Sequence, residues 1–392
     1  MTSRSLKALV PFVLTSVTFG CEKVDTGVEP DEPSADFSKY VAMGASVTMG
    51  FASGGVVAAS QQTSWAKLLA DDAGVTFTLP LIEAPGCNPP IAAPLGAFRR
   101  VDNSSVLSAS AVCAANSTGV VLPSQNVAVT GQTAADAVTA NPAPGTVTAR
   151  VIASGQTQLT AMRAQNPTFV SVEIGTNELF QAFGGQASSA TPFATFSTNY
   201  QSIINSVSQS GAKALLALMP VDLAKFPSLR TGAEIAAQRT TFATQNVSVN
   251  ANCDASTNMI AIPKVLAAIV TGGVRASTGL SAFDLSCADV PGAIDGVLTA
   301  ADITTLNALS AQMNTFIQLK ANENGYATFS LGALYDNAKN GVTFDVNALL
   351  TSNAPFGPNI SLDGIHPSAA GQQILMTAAK AGIIAKYGSI SN

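Results

Sequence analysis

The chain has 392 residues, 47% of them hydrophobic and 11% charged, with a formal net charge of -5. That apolar content suffices for a large buried core and marks a globular protein. Its few Lys and Arg residues are scattered along the chain, which argues against a nucleic-acid partner.

The first twenty residues stand apart. Arg4 and Lys7 precede the apolar run ALVPFVLTSVTF, which is short for a membrane span and reads as a secretory signal over 1–20. It ends in TFGC and resembles a bacterial lipoprotein signal, in which Cys21 is lipidated and becomes the new N-terminus. Thr18 and Phe19 depart from the Leu and the small residue usual in that pattern. Residues 21–37, acidic and Pro-containing, predict a flexible tether. The reading is therefore of an exported envelope protein, held to a membrane by a lipid anchor only, with its working domain over 38–392.

Five apolar runs predict strands: KYVAMG (39–44), NVAVTG (126–131), FVSVEIG (169–175), KALLALMP (213–220) and YATFSL (326–331). Helical patterns alternate with them, which is the rhythm of a mainly parallel sheet. The longest, TAADITTLNALSAQMNTFIQLKANENG, repeats apolar residues at Ile303, Leu306, Leu309, Met313, Phe316, Ile317 and Leu319, with Thr299 and Asp302 as a capping pair. A final helix follows through AAGQQILMTAAKAGIIAKYG.

Residues 80–125 and 225–295 break the rhythm. Loops of that length in a compact domain are usually functional, so both are assigned to the substrate surface. Setting Cys21 aside leaves Cys87, Cys113, Cys253 and Cys287, an even number in an exported chain. Expected pairs are Cys87–Cys113 and Cys253–Cys287, each closing a local loop rich in Gly, Pro, Asn and Ser. No Cys or His spacing predicts a metal site.

Strand ends carry the candidate chemistry. The first strand runs into MGASVTMG, which presents Ser46 where open parallel sheets bind ligands; on its own Ser46 also fits a turn or a helix N-cap. Gly131 ends NVAVTG, and Gly175 and Asn177 follow the third strand in IGTNEL. A glycine N–H can approach a ligand closely and an asparagine amide can donate beside it. Near the C-terminus, SLDGIHPSAAG holds the only histidine of the chain, His366, three residues after Asp363. There is no G-x-S-x-G, so an α/β-hydrolase elbow is not available.

Taken together these blocks resemble the SGNH (GDSL-like) hydrolase superfamily of esterases and lipases. GASVT stands for the nucleophile block, NVAVTGQTA for the glycine block, GTNE for the G-x-N-D block and DGIHPS for the D-x-x-H block, in the family's order from about residue 40 to the C-terminus. The resemblance implies a three-layer α/β/α sandwich of flavodoxin-like organisation with a mainly parallel five-stranded sheet. It implies Ser46 as nucleophile, His366 as base and Asp363 as its orienting carboxylate. Oxyanion donors would be the N–H groups of Ser46 and Gly131 and the Asn177 side chain. Ala45 replaces the Asp of GDS, Val47 its Leu, and Glu178 the Asp of G-x-N-D. The implied activity is hydrolysis of carboxylic esters through a serine-bound acyl group, with no cofactor and no metal. Alternatives are a carbohydrate O-acetylesterase with the same triad and a non-catalytic surface-binding lipoprotein that keeps the fold. Acyl length, alcohol and oligomeric state are not legible in the sequence.

Overall fold

In the computed structural model, residues 34–108, 113–336 and 342–392 are described. The expected signal, Cys21 and residues 22–33 of the expected tether lie outside the described residues. Four of the five apolar runs form the central sheet: β1 (Tyr40–Gly44), β2 (Phe169–Glu173), β3 (Lys213–Leu218) and β4 (Ala327–Ser330). They pair in the order β4-β3-β2-β1, all parallel. Every residue of β1 and β2 is buried, which is why those runs lack the polar alternation of a one-sided sheet.

The fifth run, 126–131, lies along the free edge of β1 without becoming a regular strand. Val127 N–H donates to Ala42 O at 2.8 Å and Val129 N–H to Gly44 O at 3.1 Å. The Asn126 side chain meanwhile accepts from Ala128 N–H at 3.0 Å and donates to Thr48 O at 2.9 Å, a local alternative to ladder pairing.

Helices pack on both faces: α1 (Ser46–Met49), α2 (Trp65–Asp72), α3 (Ala134–Thr139), α4 (Gln158–Arg163), α5 (Asn177–Phe180), α6 (Phe193–Gln209), α7 (Ala300–Asn324), α8 (Gly332–Tyr335) and α9 (Ala369–Tyr387). Adjacent residues of β4 show the layering. Phe329 turns to Trp65 of α2, ring centroids 5.0 Å apart, beneath α9. Thr328 Oγ1 instead meets Gln318 Oε1 of α7 at 3.2 Å, and α7 packs with α6, which packs in turn with α3 and α4. This is the expected three-layer α/β/α order. Helix α7 starts with the expected Thr299–Asp302 capping box and buries Ile303, Leu306, Met313 and Ile317, while Leu319 faces solvent.

Two boundaries differ from the sequence reading. Ser34–Asp36 pairs in parallel with Ser389–Ser391, and Phe37 is fully buried against Tyr40 and Phe169, at 4.7 and 4.5 Å between rings. The domain therefore reaches back past residue 38 into the expected tether, because Phe37 has an aromatic cluster to enter. The stretch 225–295, read as a loop, contains the helix Ile262–Ser277 and takes part in two small sheets. One joins Leu229–Thr231, Met259–Ala261 and Val297–Leu298 antiparallel; the other pairs Val247–Val249 with Phe283–Leu285. Cys253 and Cys287 are bonded within it, and Cys87 is bonded to Cys113 in the other excursion. Among the described residues no helix is long and apolar enough to cross a membrane.

Candidate active site

The carboxyl ends of β1 and β2 and the turn before α9 bring three chain segments to one place. After Gly44 the backbone turns at Ala45 and Ser46 opens α1. Beyond β2, Gly175 adopts φ +141°, and a Cβ there would lie 2.7 Å from Met219 Sδ. Only glycine fits both constraints, and the turn it permits sets Asn177 at the start of α5. Asp363 and His366 lie on the irregular segment before the Ser368 cap of α9.

His366 Nε2 stands 2.9 Å from Ser46 Oγ, and His366 Nδ1 stands 2.9 Å from Asp363 Oδ2. The carboxylate is held from several sides. Oδ1 accepts from the N–H groups of Ile365 (2.9 Å) and His366 (2.8 Å) and from Ser361 Oγ (3.2 Å); Oδ2 also accepts from Gly54 N–H at 2.7 Å. Burial pushes the Asp363 carboxyl up, but the adjacent imidazole and the N–H donors outweigh it and hold the group at about 2. An ionised carboxylate only accepts, so the imidazole proton sits on Nδ1 and leaves Nε2 free to take the Ser46 proton. Phe51 lies edge-on to the imidazole at 4.8 Å, and Tyr335 Oη donates to Ile365 O at 2.7 Å, which fixes the peptide beside His366.

Gly131 adopts φ +79°, and no atom lies within 4 Å of where its Cβ would be. Among the described residues its N–H makes no backbone hydrogen bond. Asn177 Nδ2 donates to Gln132 O at 2.9 Å, which ties it to the Gly131 loop and leaves its second N–H able to donate elsewhere. Glu178, which stands where the family has Asp, reaches the same loop: its Oε1 accepts from Ala134 N–H at 2.6 Å, at the first turn of α3. Burial pushes this carboxyl up and the Ala134 bond pulls it part of the way back. The longer side chain thus links the asparagine block to the glycine block.

A narrow recess of about 10 Å³ opens beside Ser46, His366 and Asn177, walled by Phe180, Leu331 and Tyr335. Glu173 lines it as well, with a carboxylate 1% exposed that accepts from the N–H groups of Ala45 and Thr48, both at 3.1 Å. Sequence reasoning passed over Glu173; its one signal was an acid inside an otherwise apolar strand run. A wider hollow of about 800 Å³ by Lys67, Phe77 and Val121 contains none of Ser46, Asp363 and His366, so size alone does not mark the candidate site. Among the described residues no group of His, Cys, Asp or Glu is arranged to hold a metal ion.

Comparison with solved structures returns distant likenesses. An acetylxylan esterase, Axe2 from Geobacillus stearothermophilus, is 11% identical with a TM-score of 0.38, covering 90% of this chain and 96% of that one. An extracellular lipase from Streptomyces rimosus is 14% identical with a TM-score of 0.38, covering 88% and 100%. TesA is 13% identical with a TM-score of 0.35, covering 88% and 97%. At such low identity and similarity these proteins assign no activity to this chain. No curated protein sequence matches the chain. The family model for GDSL-like lipases and acylhydrolases matches residues 40–379, a span that runs from the first strand of the sheet, through all four blocks, into the last helix. The chain belongs to the GDSL-like lipase/acylhydrolase family, and it is a carboxylic ester hydrolase.

Proposed function

We propose that the chain hydrolyses esters through an acyl group carried on Ser46. The carrying observation is the continuous chain of contacts from Asp363 through His366 to Ser46, each 2.9 Å. In the first half-reaction Ser46 Oγ attacks the ester carbonyl as His366 Nε2 takes the hydroxyl proton. Negative charge develops on the carbonyl oxygen, and the N–H groups of Ser46 and Gly131 and the Asn177 amide are its proposed donors. The intermediate collapses, the C–O bond to the alcohol breaks, and Nε2 returns its proton to the departing oxygen. Water then attacks the acyl group, gives a proton to Nε2 and releases the acid, and the proton passes back to Ser46 Oγ. Asp363 keeps its charge throughout and stabilises the imidazolium of each half-reaction.

The recess beside Ser46 narrows the acyl side. A volume of about 10 Å³ takes a group the size of a water molecule or a methyl and no alkyl chain. With the acyl group seated in this recess, acetyl and other short acyl esters are the proposed substrates, which favours the carbohydrate O-acetylester reading over a long-chain lipid. For the cell, the proposal is an exported enzyme of the envelope: the basic-then-apolar N-terminus, Cys21 and the two cystines all fit an oxidising compartment.

The test is a series of p-nitrophenyl esters from acetyl to palmitoyl, run on the native chain and on the Ser46→Ala and His366→Ala variants. Acetate ahead of every longer ester, with both variants inactive, is the expected pattern. Activity that survives in Ser46→Ala removes the serine mechanism, and a preference for palmitate removes the short-acyl reading.

A further inference from the structure

The turn that presents Ser46 is short of an acceptor of its own. Ala45 occupies the N-cap position of α1 at φ -111° and ψ -143°, and its methyl makes no cap. The first N–H groups of a helix have no intrahelical partner, and an N-cap oxygen normally takes one of them. Here the acceptor comes from the neighbouring strand. Glu173 Oε2 accepts from Ala45 N–H and from Thr48 N–H, the N-cap and N3 donors, at 3.1 Å each; Ala45 N–H also reaches the Glu173 main-chain O at 3.0 Å, so Thr48 N–H is the donor that depends on the side chain. These are the two donors that a capping box satisfies within one helix, now satisfied from a residue 128 positions away in the case of Ala45. Gly44, which pairs with Glu173 in the sheet, leaves room for it: a Cβ on Gly44 would stand 3.1 Å from Glu173 Cβ and 2.8 Å from Thr48 Oγ1.

A buried acid is an expensive way to fill that space, since water is excluded from it and no Lys or Arg pairs with it. Burial pushes the Glu173 carboxyl up to about 7, against the pull of the Thr48 and Ala45 N–H groups and of His366. Protonated or ionised, Oε2 remains an acceptor, so the cap survives on either side of that value.

We propose that Glu173 is a positioning residue for the nucleophile: it caps the Ser46 turn from β2, which holds Ser46 Oγ in register with His366 and aims the Ser46 N–H at the developing oxyanion. This rests on the serine mechanism proposed above, and the test separates the two. The variants are Glu173→Gln, whose amide oxygen keeps an acceptor at the same reach, and Glu173→Leu, which fills the space without one. Both are made in the full chain beside Ser46→Ala, with kcat and KM for p-nitrophenyl acetate and amide hydrogen exchange over residues 44–49 as readouts.

In Glu173→Leu, kcat falls about a hundredfold, the scale set by a misplacement of roughly 1 Å, while KM moves less than about threefold. Exchange at Thr48 accelerates in the same variant, while Ala45 keeps its bond to the main-chain O of residue 173. Glu173→Gln keeps both the slow exchange and a kcat within about tenfold of native, as rescue of the acceptor requires. Unchanged kcat in Glu173→Leu overturns the inference, as does slow exchange at Thr48 in that variant or an equal loss in Gln and Leu. If Ser46→Ala remains active, the serine mechanism falls, while the exchange measurement still reports whether Glu173 caps the turn.

Discussion

The Asp363→Asn substitution keeps the size of the side chain and reverses the chemistry of one of its atoms. Oδ1 of the new amide can still accept from Ile365 N–H and His366 N–H, now at 2.9 and 2.8 Å. The amide nitrogen then takes the place of Oδ2, opposite Gly54 N–H at 2.7 Å and His366 Nδ1 at 2.9 Å. Two donors face each other at Gly54, and a third does so at His366 unless the imidazole moves its proton from Nδ1 to Nε2. With the proton on Nε2 the ring cannot accept from Ser46 Oγ. Losing the charge-assisted bond to the imidazolium costs about 1.5–3 kcal/mol, and restoring the productive tautomer adds a similar amount. The sum corresponds to a fall in kcat of roughly 10²- to 10⁴-fold with little change in KM. Because His366 is the only histidine, its ring nitrogens can be followed by NMR without assignment, and the same sample reports the tautomer. A variant that keeps kcat within about tenfold, or one whose proton stays on Nδ1, refutes this account of Asp363.

Other outcomes follow from the same geometry. Asn177→Ala removes a proposed oxyanion donor and lowers kcat by about 10²- to 10³-fold with KM little altered, measured on p-nitrophenyl acetate. Leu331→Ala enlarges the recess beside Ser46 and shifts preference from acetate toward butyrate; an unchanged chain-length profile places the acyl group elsewhere. Glu173 makes stability depend on pH. Its folded value of about 7 lies above the ordinary carboxylate range, so the folded state holds that proton more tightly. The contribution is fully present below about pH 4.5 and is lost as pH rises through about 7. Glu173→Gln should therefore reduce the loss of unfolding free energy between pH 5 and pH 8 by on the order of 1–3 kcal/mol, read from denaturant curves at both values. Asp363 acts with the opposite sign: held at about 2, it contributes stability above the ordinary carboxylate range that is lost as pH falls through about 2.

Much of the site was legible because its residues are of rare type or stand at strand ends. A single histidine leaves no competitor for the base, and Asp363 three residues earlier accepts from both its ring and its backbone. Glu173 was not legible, since its role depends on partners that the parallel pairing of β1 and β2 brings beside it. The same holds for Glu178: a one-methylene departure leaves its hydrogen-bond partners open until α3 is seen to start within its reach. In the fold, buried strands with continuous apolar runs were readable, whereas 126–131 was assigned a full strand that Asn126 interrupts. Sequence pattern also treated 225–295 as loop, because its strands, three residues at most, are too short for a period to register. Phe37 marked the domain boundary only once its aromatic partners were in place.

The most direct test of the central claim is peptide mapping by mass spectrometry after the native chain reacts with a fluorophosphonate. The account predicts a single phosphonylated residue, Ser46, with labelling abolished in His366→Ala. A label on any other residue, no label at all, or undiminished labelling of Ser46 without His366 contradicts it.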